Sequence, residues 1–378
     1  MQNFSLFVTC APEIEYLLVE ELKELGIQSV SPGHRGVYVT EANWSTIYTI
    51  NYASRLANRV LLPLSRFKCY NQKSLYSQIS KIDWVPFFHK ANTLAIDANV
   101  HHRELRNSLF AAQVTKDAIC DQLRHRTGKR PSVDIQNPDV QLNLFIHQDW
   151  GSISFDTSGD PLHKRGYRIE SVEAPIQETL AAAILRIAGY SRDQILLDPC
   201  CGSGTFLIEA ALMAAQIAPG FLRNKWGFLL HPQHDQTLWL RIKNHYDALR
   251  TSLPEQHLFG LDINKNAARV TKVNLKAAGF GNKVEVIHTD FREYSPTLPP
   301  NLIVTNPPHG KRLEDVSQLK SFYRDLGDFI KQQSAKPGRA FIFVGNQELM
   351  KEIGLAAKKR HVLISGGVDA RLLEFDIF

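Results

Sequence analysis

The chain has 378 residues, 44% hydrophobic and 22% charged, the balance of an ordinary globular protein with room for two or three domains. Lys and Arg number 44 against 38 Asp and Glu, and the net charge of +6 suits a polyanionic partner as readily as a merely solvated basic surface. Five cysteines, with Cys200 and Cys201 adjacent and no CxxC pair, argue against a secreted disulfide framework and for a reducing cytoplasm. The opening MQNFSLFVTCAPEIE lacks a basic n-region, and nowhere do about 18 apolar residues run unbroken, so neither export nor a membrane role is expected.

In chain order, Phe4 to Thr9 alternates as a strand, and Pro12 to Leu25 carries a helical pattern closed by Gly26. A strand through Gly36 to Val39 and a helix from Asn43 to Ala57 follow, which predicts a small ferredoxin-like α+β layer over residues 1–60. Between about 61 and 160 the pattern turns basic and interrupted, with Arg66, Lys68, Lys73, Lys81 and Lys90. Leu94 to Val100 reads as a strand, HHRELRNS as a basic loop, Phe110 to Arg126 as a helix, and VQLNLFIHQD with WGSISFDTSG as a hairpin. Such a region can serve as a platform for a phosphate backbone. At the entry to the last segment, 161–378, the cluster His163 to Arg168 (HKRGYR) sets cations around an aromatic at a glycine. Lys164, Arg165, Tyr167 and Arg168 are therefore candidates for RNA contact by phosphate pairing and base stacking.

Ala174 to Ala188 reads as an Ala-rich helix leading into LLDPCCGSGTFLIEAA. Apolar residues run into Asp198, small residues turn the chain at Gly202, Ser203 and Gly204, and an apolar helix opens with Thr205. Two glycines let the backbone approach a ligand, and the new helix presents unsatisfied N–H groups, so this turn is a cradle for a polar cofactor. Cys200 is expected to offer its backbone there. Glycine spacing alone leaves nucleotides, flavins and S-adenosylmethionine open. After an insertion, Pro219 to Pro254, whose Trp226 and Trp239 read as local core, a second strand ends at Asp262 and Ile263, roughly 60 residues after the turn rather than about 20, where an acid pairs with ribose hydroxyls. A third strand ends near Asp290 and Phe291, a carboxylate for an adenine amine and a ring for its face.

The deciding stretch is NLIVTNPPHG, Asn301 to Gly310. A buried strand breaks at its carboxyl end, where open α/β sheets bind ligands, into Asn306, Pro307, Pro308 and His309. The Asn306 side-chain oxygen and the Pro307 carbonyl can both accept N–H bonds from one amino group, aiming its lone pair and stabilising positive charge as it develops. His309 would lie against the planar target.

Asp198 to Phe206, Asp262, Asp290 and Thr305 to Gly310 resemble the motif set of class I S-adenosylmethionine-dependent amino methyltransferases. The whole chain resembles the THUMP-domain RNA methyltransferases, specifically the bacterial 23S rRNA guanine-N2 methyltransferase group. The resemblance implies a seven-stranded Rossmann-like C-terminal domain ending in an antiparallel hairpin, an N-terminal ferredoxin-like and THUMP RNA-binding region, and S-adenosylmethionine as cofactor with no metal. It also implies 23S rRNA or its precursor as partner and direct displacement on N2 of a flipped guanine. It points to no oligomeric state. Where the family usually carries Tyr or Phe, this chain has His309. Competing functions that share the Asn-Pro-Pro chemistry are N6-adenine methylation of DNA or RNA and glutamine-N5 methylation of protein, and a non-catalytic RNA-binding module is a further alternative.

Overall fold

The computed structural model describes residues 4–88, 93–105, 107–309, 313–365 and 368–378. Gly310, Lys90 and Arg106, which belong to stretches singled out above, lie outside them. The chain divides into two compact units: residues 1–10, 19–162 and 223–244 make the first, and 11–18, 163–222 and 245–378 the second.

The first unit is built on one eight-stranded sheet. Its strands are β1 (Phe4–Thr9), β2 (Val30–Gly33), β3 (Gly36–Ala42), β4 (Arg59–Lys68), β5 (Thr93–His101), β6 (Ser132–Val133), β7 (Val140–His147) and β8 (Trp150–Asp156), in the order β2-β3-β1-β4-β8-β7-β5-β6. The helices α1 (Glu15–Glu24), α2 (Trp44–Ala53), α3 (Gln72–Ile79) and α4 (Ser108–Thr127) connect them. Asn43 and Asn71 open α2 and α3 with reciprocal capping boxes. The two small domains expected over 1–60 and 61–160 thus share a continuous sheet, joined where β4 pairs with β1 on one side and β8 on the other. Sequence pattern does not reveal β4 because Pro63 interrupts it. The structure accommodates that proline at a shift of register between Pro63 and Ser65, where one ladder hydrogen bond is dispensable.

The insertion contributes α7 (Gln236–Ala248), and its residues 223–244 group with the first unit rather than with the C-terminal segment. Trp239 packs edge-on to Tyr52 and obliquely to Tyr48 of α2, and Phe228 lies 4.9 Å from Tyr48. These aromatics are core, as their sequence context suggested.

The second unit carries β9 (Leu196–Asp198), β10 (Leu258–Asp262), β11 (Glu285–His288), β12 (Leu302–Thr305), β13 (Gly338–Val344), β14 (Lys359–Ser365) and β15 (Val368–Ile377), in the order β11-β10-β9-β12-β13-β15-β14. The first five are parallel, and β15 runs antiparallel between β13 and β14. This is the Rossmann-like sheet with its final hairpin. Every residue of β9 and β12 is buried, the signature of parallel strands covered on both faces by helices. Those helices are α5 (Glu178–Ile187), α6 (Thr205–Ala214), α8 (Lys265–Ala277) and α9 (Leu313–Gln333). Helix α5 starts at Glu178, later than the pattern suggested, because Gln177 is extended and Ala174 has φ of +50°.

Candidate active site

Adjacent parallel strands β10, β9 and β12 bring Asp262, Asp198 and Thr305 to one edge of the sheet. The turn after β9 is shaped by Gly202 and Gly204 at φ of +56° and +79°. A Cβ on Gly204 would stand 2.7 Å from Thr271 Cγ2, so the second glycine is required by both dihedral and space. Thr271 Oγ1 donates to the Gly202 carbonyl at 2.7 Å, and the Gly202 N–H donates to Asp262 Oδ2 at 2.9 Å. The Asn264 N–H takes the other oxygen of Asp262 at 2.8 Å. Helix α6 then begins with no side-chain cap on its first N–H groups. Ile263, next to Asp262, is 62% exposed, a bare aliphatic surface at the strand tip.

Asp198 ties this turn to the Asn-Pro-Pro loop. Its Oδ1 accepts from the Thr305 hydroxyl at 2.8 Å and from the Cys200 N–H at 3.1 Å. The N–H of Cys200 is thereby engaged within the protein, against the expectation that it faces a cofactor. Burial pushes both thiols, Cys200 and Cys201, far up, so neither is a thiolate nucleophile.

Asn306 follows directly. Its Oδ1 is buried and has no hydrogen-bond partner among the described residues. Pro307 is buried and Pro308 exposed, and the Pro308 carbonyl accepts from the hydroxyl of the fully buried Tyr323 on α9 at 3.1 Å. His309 Nδ1 accepts from the Gly345 N–H at 3.1 Å, and its ring meets Phe343 edge-on. Accepting at Nδ1 requires the neutral ring, and burial lowers its pKa in the same direction. A Cβ on Gly345 would lie 3.0 Å from His309 Cδ2, so that glycine makes room for the imidazole. Tyr323 and Gly345 fix the loop from both sides, and neither carries a signal in the sequence.

Other candidates are engaged by partners within the protein. Ser203 Oγ accepts from the Val172 N–H at 3.2 Å, and Thr205 Oγ1 accepts from Arg168 at 3.1 Å. Asp290 is held by Arg292 at 2.6 Å, which lowers its pKa, and caps the short 3-10 turn at Phe291–Glu293. The Phe291 ring is 3% exposed and packed edge-on against Phe322 and Phe329, so it offers no open face to an adenine.

The HKRGYR cluster requires a larger correction. Arg165 and Tyr167 are 2% and 1% exposed. Arg165 pairs with Glu209 of α6, the Tyr167 hydroxyl donates to the same carboxylate at 2.9 Å, and Arg168 pairs with Glu178 of α5 at 2.8 Å. These side chains neutralise acids buried in two apolar helices and are not available to RNA; Lys164 alone of the four is exposed. The visible signal was on the partners: Glu178 and Glu209 are lone acids in ETLAAAIL and TFLIEAAL, where a buried carboxylate demands a cation.

Residues 165–372 match the family described as RMKL-like, methyltransferase domain. The chain belongs to this family. A THUMP domain matches at 69–156 and an RlmL ferredoxin-like domain at 5–61. The chain is 37% identical to a Synechocystis protein named "Putative RNA methyltransferase slr0064", over 98% of this chain and 96% of that one. It is 38% identical to the ribosomal RNA large subunit methyltransferase K/L of Syntrophotalea carbinolica, over 98% of this chain and 53% of that protein. The chain spans about half the length of the K/L relatives it matches. The crystal structure of SMU.472 complexed with SAH superposes with a TM-score of 0.87 at 26% identity, covering 100% of this chain and 99% of that one.

In this RMKL-like site Asp198 is also a pH-sensitive element. Burial pushes its carboxyl up to about 7, against the bonds from Thr305 and Cys200, and the nearby Asp262 charge adds to the rise. The folded state therefore holds the proton more tightly than the unfolded chain. The stability linked to it is full below about pH 4 and is lost as pH rises through about 7. Asp198→Asn keeps an acceptor for both donors and removes the titration. The wild-type stability measured by urea unfolding should fall relative to the variant's between pH 5 and pH 8, and a difference that stays flat over that range would contradict the buried proton. Among the described residues no helix is long and apolar enough to cross a membrane, and no group of three His, Cys, Asp or Glu side chains could hold a metal.

Proposed function

We propose that the chain is an S-adenosylmethionine-dependent RNA methyltransferase that methylates N2 of a guanine in 23S rRNA or its precursor. The observation that carries this reading is the buried Oδ1 of Asn306, without a partner among the described residues, at the edge where the Gly202–Gly204 turn, Asp262 and the uncapped start of α6 meet. A buried acceptor without a donor costs about 1–3 kcal/mol, and an exocyclic amine supplies the missing donor.

The cradle suits the cofactor. Asp262 would hold the ribose hydroxyls and Ile263 would cover the adenine, while the α6 N-terminus and the close backbone at Gly202 and Gly204 would receive the polar methionine end. S-adenosylmethionine, when bound, supplies an electrophilic methyl group. The protein's part is to hold the amine: Asn306 Oδ1 accepts one N–H, the Pro307 carbonyl accepts the other, and both favour the positive charge that develops on nitrogen. Pro307 and Pro308 stiffen the loop, and the Tyr323 and Gly345 anchors keep it there. His309 would border the target base in its neutral form. The surplus proton leaves to water, since no strong base is needed after the amine has become cationic.

Asp262→Ala should weaken S-adenosylmethionine binding by at least about tenfold, because the ribose acceptor and the acceptor for the Gly202 N–H are lost together. Unchanged affinity by calorimetry would remove the ribose assignment. The substrate class is tested by offering labelled cofactor with 23S rRNA from a strain lacking this protein, with DNA, and with total protein in parallel. Label in the RNA alone is expected; label in DNA or protein alone would replace this reading with N6-adenine or glutamine-N5 methylation.

A further inference from the structure

In the second unit, residues 169–175 run toward α5 in neither helix nor strand, and none of their side chains is buried. What ties this strap down is Asn274, a fully buried residue of α8. Its Oδ1 accepts from the Ile169 and Glu170 N–H groups at 2.9 and 3.2 Å. Its Nδ2 donates to the Glu170 carbonyl and to the Ser203 carbonyl, each at 3.0 Å. Two acceptances and two donations saturate a carboxamide, and they are divided between the strap and the Gly202–Gly204 turn. Strap and turn also touch directly. The Val172 N–H donates to Ser203 Oγ at 3.2 Å, and a Cβ on Gly202 would stand 3.5 Å from Val172 Cγ2. One helical turn before Asn274, Thr271 holds the Gly202 carbonyl, so a single face of α8 shapes the turn and the segment lying against it. At the surface, Arg269 of α8 grips both oxygens of Glu170 in an exposed pair.

We infer that Asn274 is a positioning residue for the cofactor: it latches the strap of residues 169–175 onto the Gly202–Gly204 turn, and S-adenosylmethionine is exchanged when that latch opens. The inference rests on the placement of the cofactor at the turn proposed above, and adds the element that controls its entry and release. With no buried apolar side chain to anchor it, the strap is held by a handful of hydrogen bonds and one exposed ion pair, the makeup of a segment that opens locally while the sheet stays folded. Because Asn274 holds Ser203 and the strap with the same side chain, opening the strap also frees the carbonyl that fixes the turn. A cofactor seated on the turn therefore favours the closed latch, and the closed latch favours the cofactor.

The test is binding of S-adenosylhomocysteine to the full chain. Calorimetry reads affinity, a chase of labelled ligand reads release, and amide hydrogen exchange reads the strap. Saturating ligand should slow exchange at residues 169–172 by about tenfold or more. Asn274→Asp keeps both acceptances and loses both donations; it should weaken affinity by about tenfold and speed release. Arg269→Gln removes an exposed pair that adds little to global stability, so the fold is retained. It should release the ligand about two- to fivefold faster and lose the acceleration by salt that the wild type shows. Should Asn274→Asp fail to fold, hydrogen exchange and Arg269→Gln decide alone. Exchange at residues 169–172 that is indifferent to ligand would overturn the latch, as would unaltered release in the variants, and either result beside an Asp262→Ala protein that binds weakly leaves the cofactor site standing. Full affinity in Asp262→Ala and in both latch variants would overturn the site and the latch together.

Discussion

Asn306→Ala is expected to reduce methyl transfer by about 100- to 1,000-fold, the usual effect of removing one group aimed at developing charge. Affinity for S-adenosylmethionine should stay within a few-fold of the wild type, because the side-chain oxygen is assigned to the substrate amine. The stability readout separates this from damage to the fold. Among the described residues Asn306 Oδ1 is already without a partner, so deleting it removes a desolvation penalty rather than a hydrogen bond to them. The variant should unfold at the same urea concentration as the wild type or slightly higher. Near-normal turnover would reject the assigned role, and a large loss of stability would show that the oxygen has a structural partner in solution.

Arg165→Ala should have the opposite profile. Arg165 is 2% exposed and pairs with Glu209, which is fully buried on α6, so the substitution strands a carboxylate in the core. Breaking a buried pair from one side typically costs about 3–5 kcal/mol. Tyr167 still donates to the same carboxylate, and burial together with the Glu209 charge already drives its phenol well above the ordinary range, so it cannot replace the lost cation. A loss on that scale in urea unfolding, with the residual folded protein binding RNA normally, is the expected result. Full stability with reduced RNA affinity would return this cluster to the nucleic-acid interface.

These two residues also mark what the sequence made legible. The position of Asn306 could be read from sequence because it follows from local order: a buried strand, a break at its carboxyl end, and two prolines that leave the backbone one course. The Gly202 and Gly204 turn and Asp262 were equally local, each at the tip of a strand with an apolar run before it. Arg165, Tyr167 and Arg168 misled because a cation beside an aromatic has the same sequence signature whether it meets phosphate or a buried carboxylate. Only the three-dimensional position of Glu178 and Glu209, on helices 10 to 44 residues away, decides between them. Phe291 failed for a related reason. A strand tip fixes where a residue lies along the sheet but not whether its ring turns to the ligand edge or under α9, and here Phe322 and Phe329 complete an aromatic cluster around it. Tyr323 and Gly345 were invisible because each acts through a single long-range hydrogen bond on the Pro308–His309 segment.

His309 connects the site to the choice of target. Its Nδ1 is committed to the Gly345 N–H, so protonating the ring would break an anchor of the loop. On the proposed reading, a neutral imidazole beside the target would be compatible with a guanine or an adenine plane, and acceptors at Asn306 and Pro307 would recognise an amine whichever ring bears it.

The measurement that bears most directly on the central claim is therefore the identity of the modified nucleoside. Labelled S-adenosylmethionine is incubated with the protein and 23S rRNA from a strain lacking it, and the RNA is digested and resolved by mass spectrometry. Label is expected in N2-methylguanosine, and absent when Asn306→Ala replaces the wild type. Label in N6-methyladenosine, or in any nucleoside methylated on carbon, would contradict it.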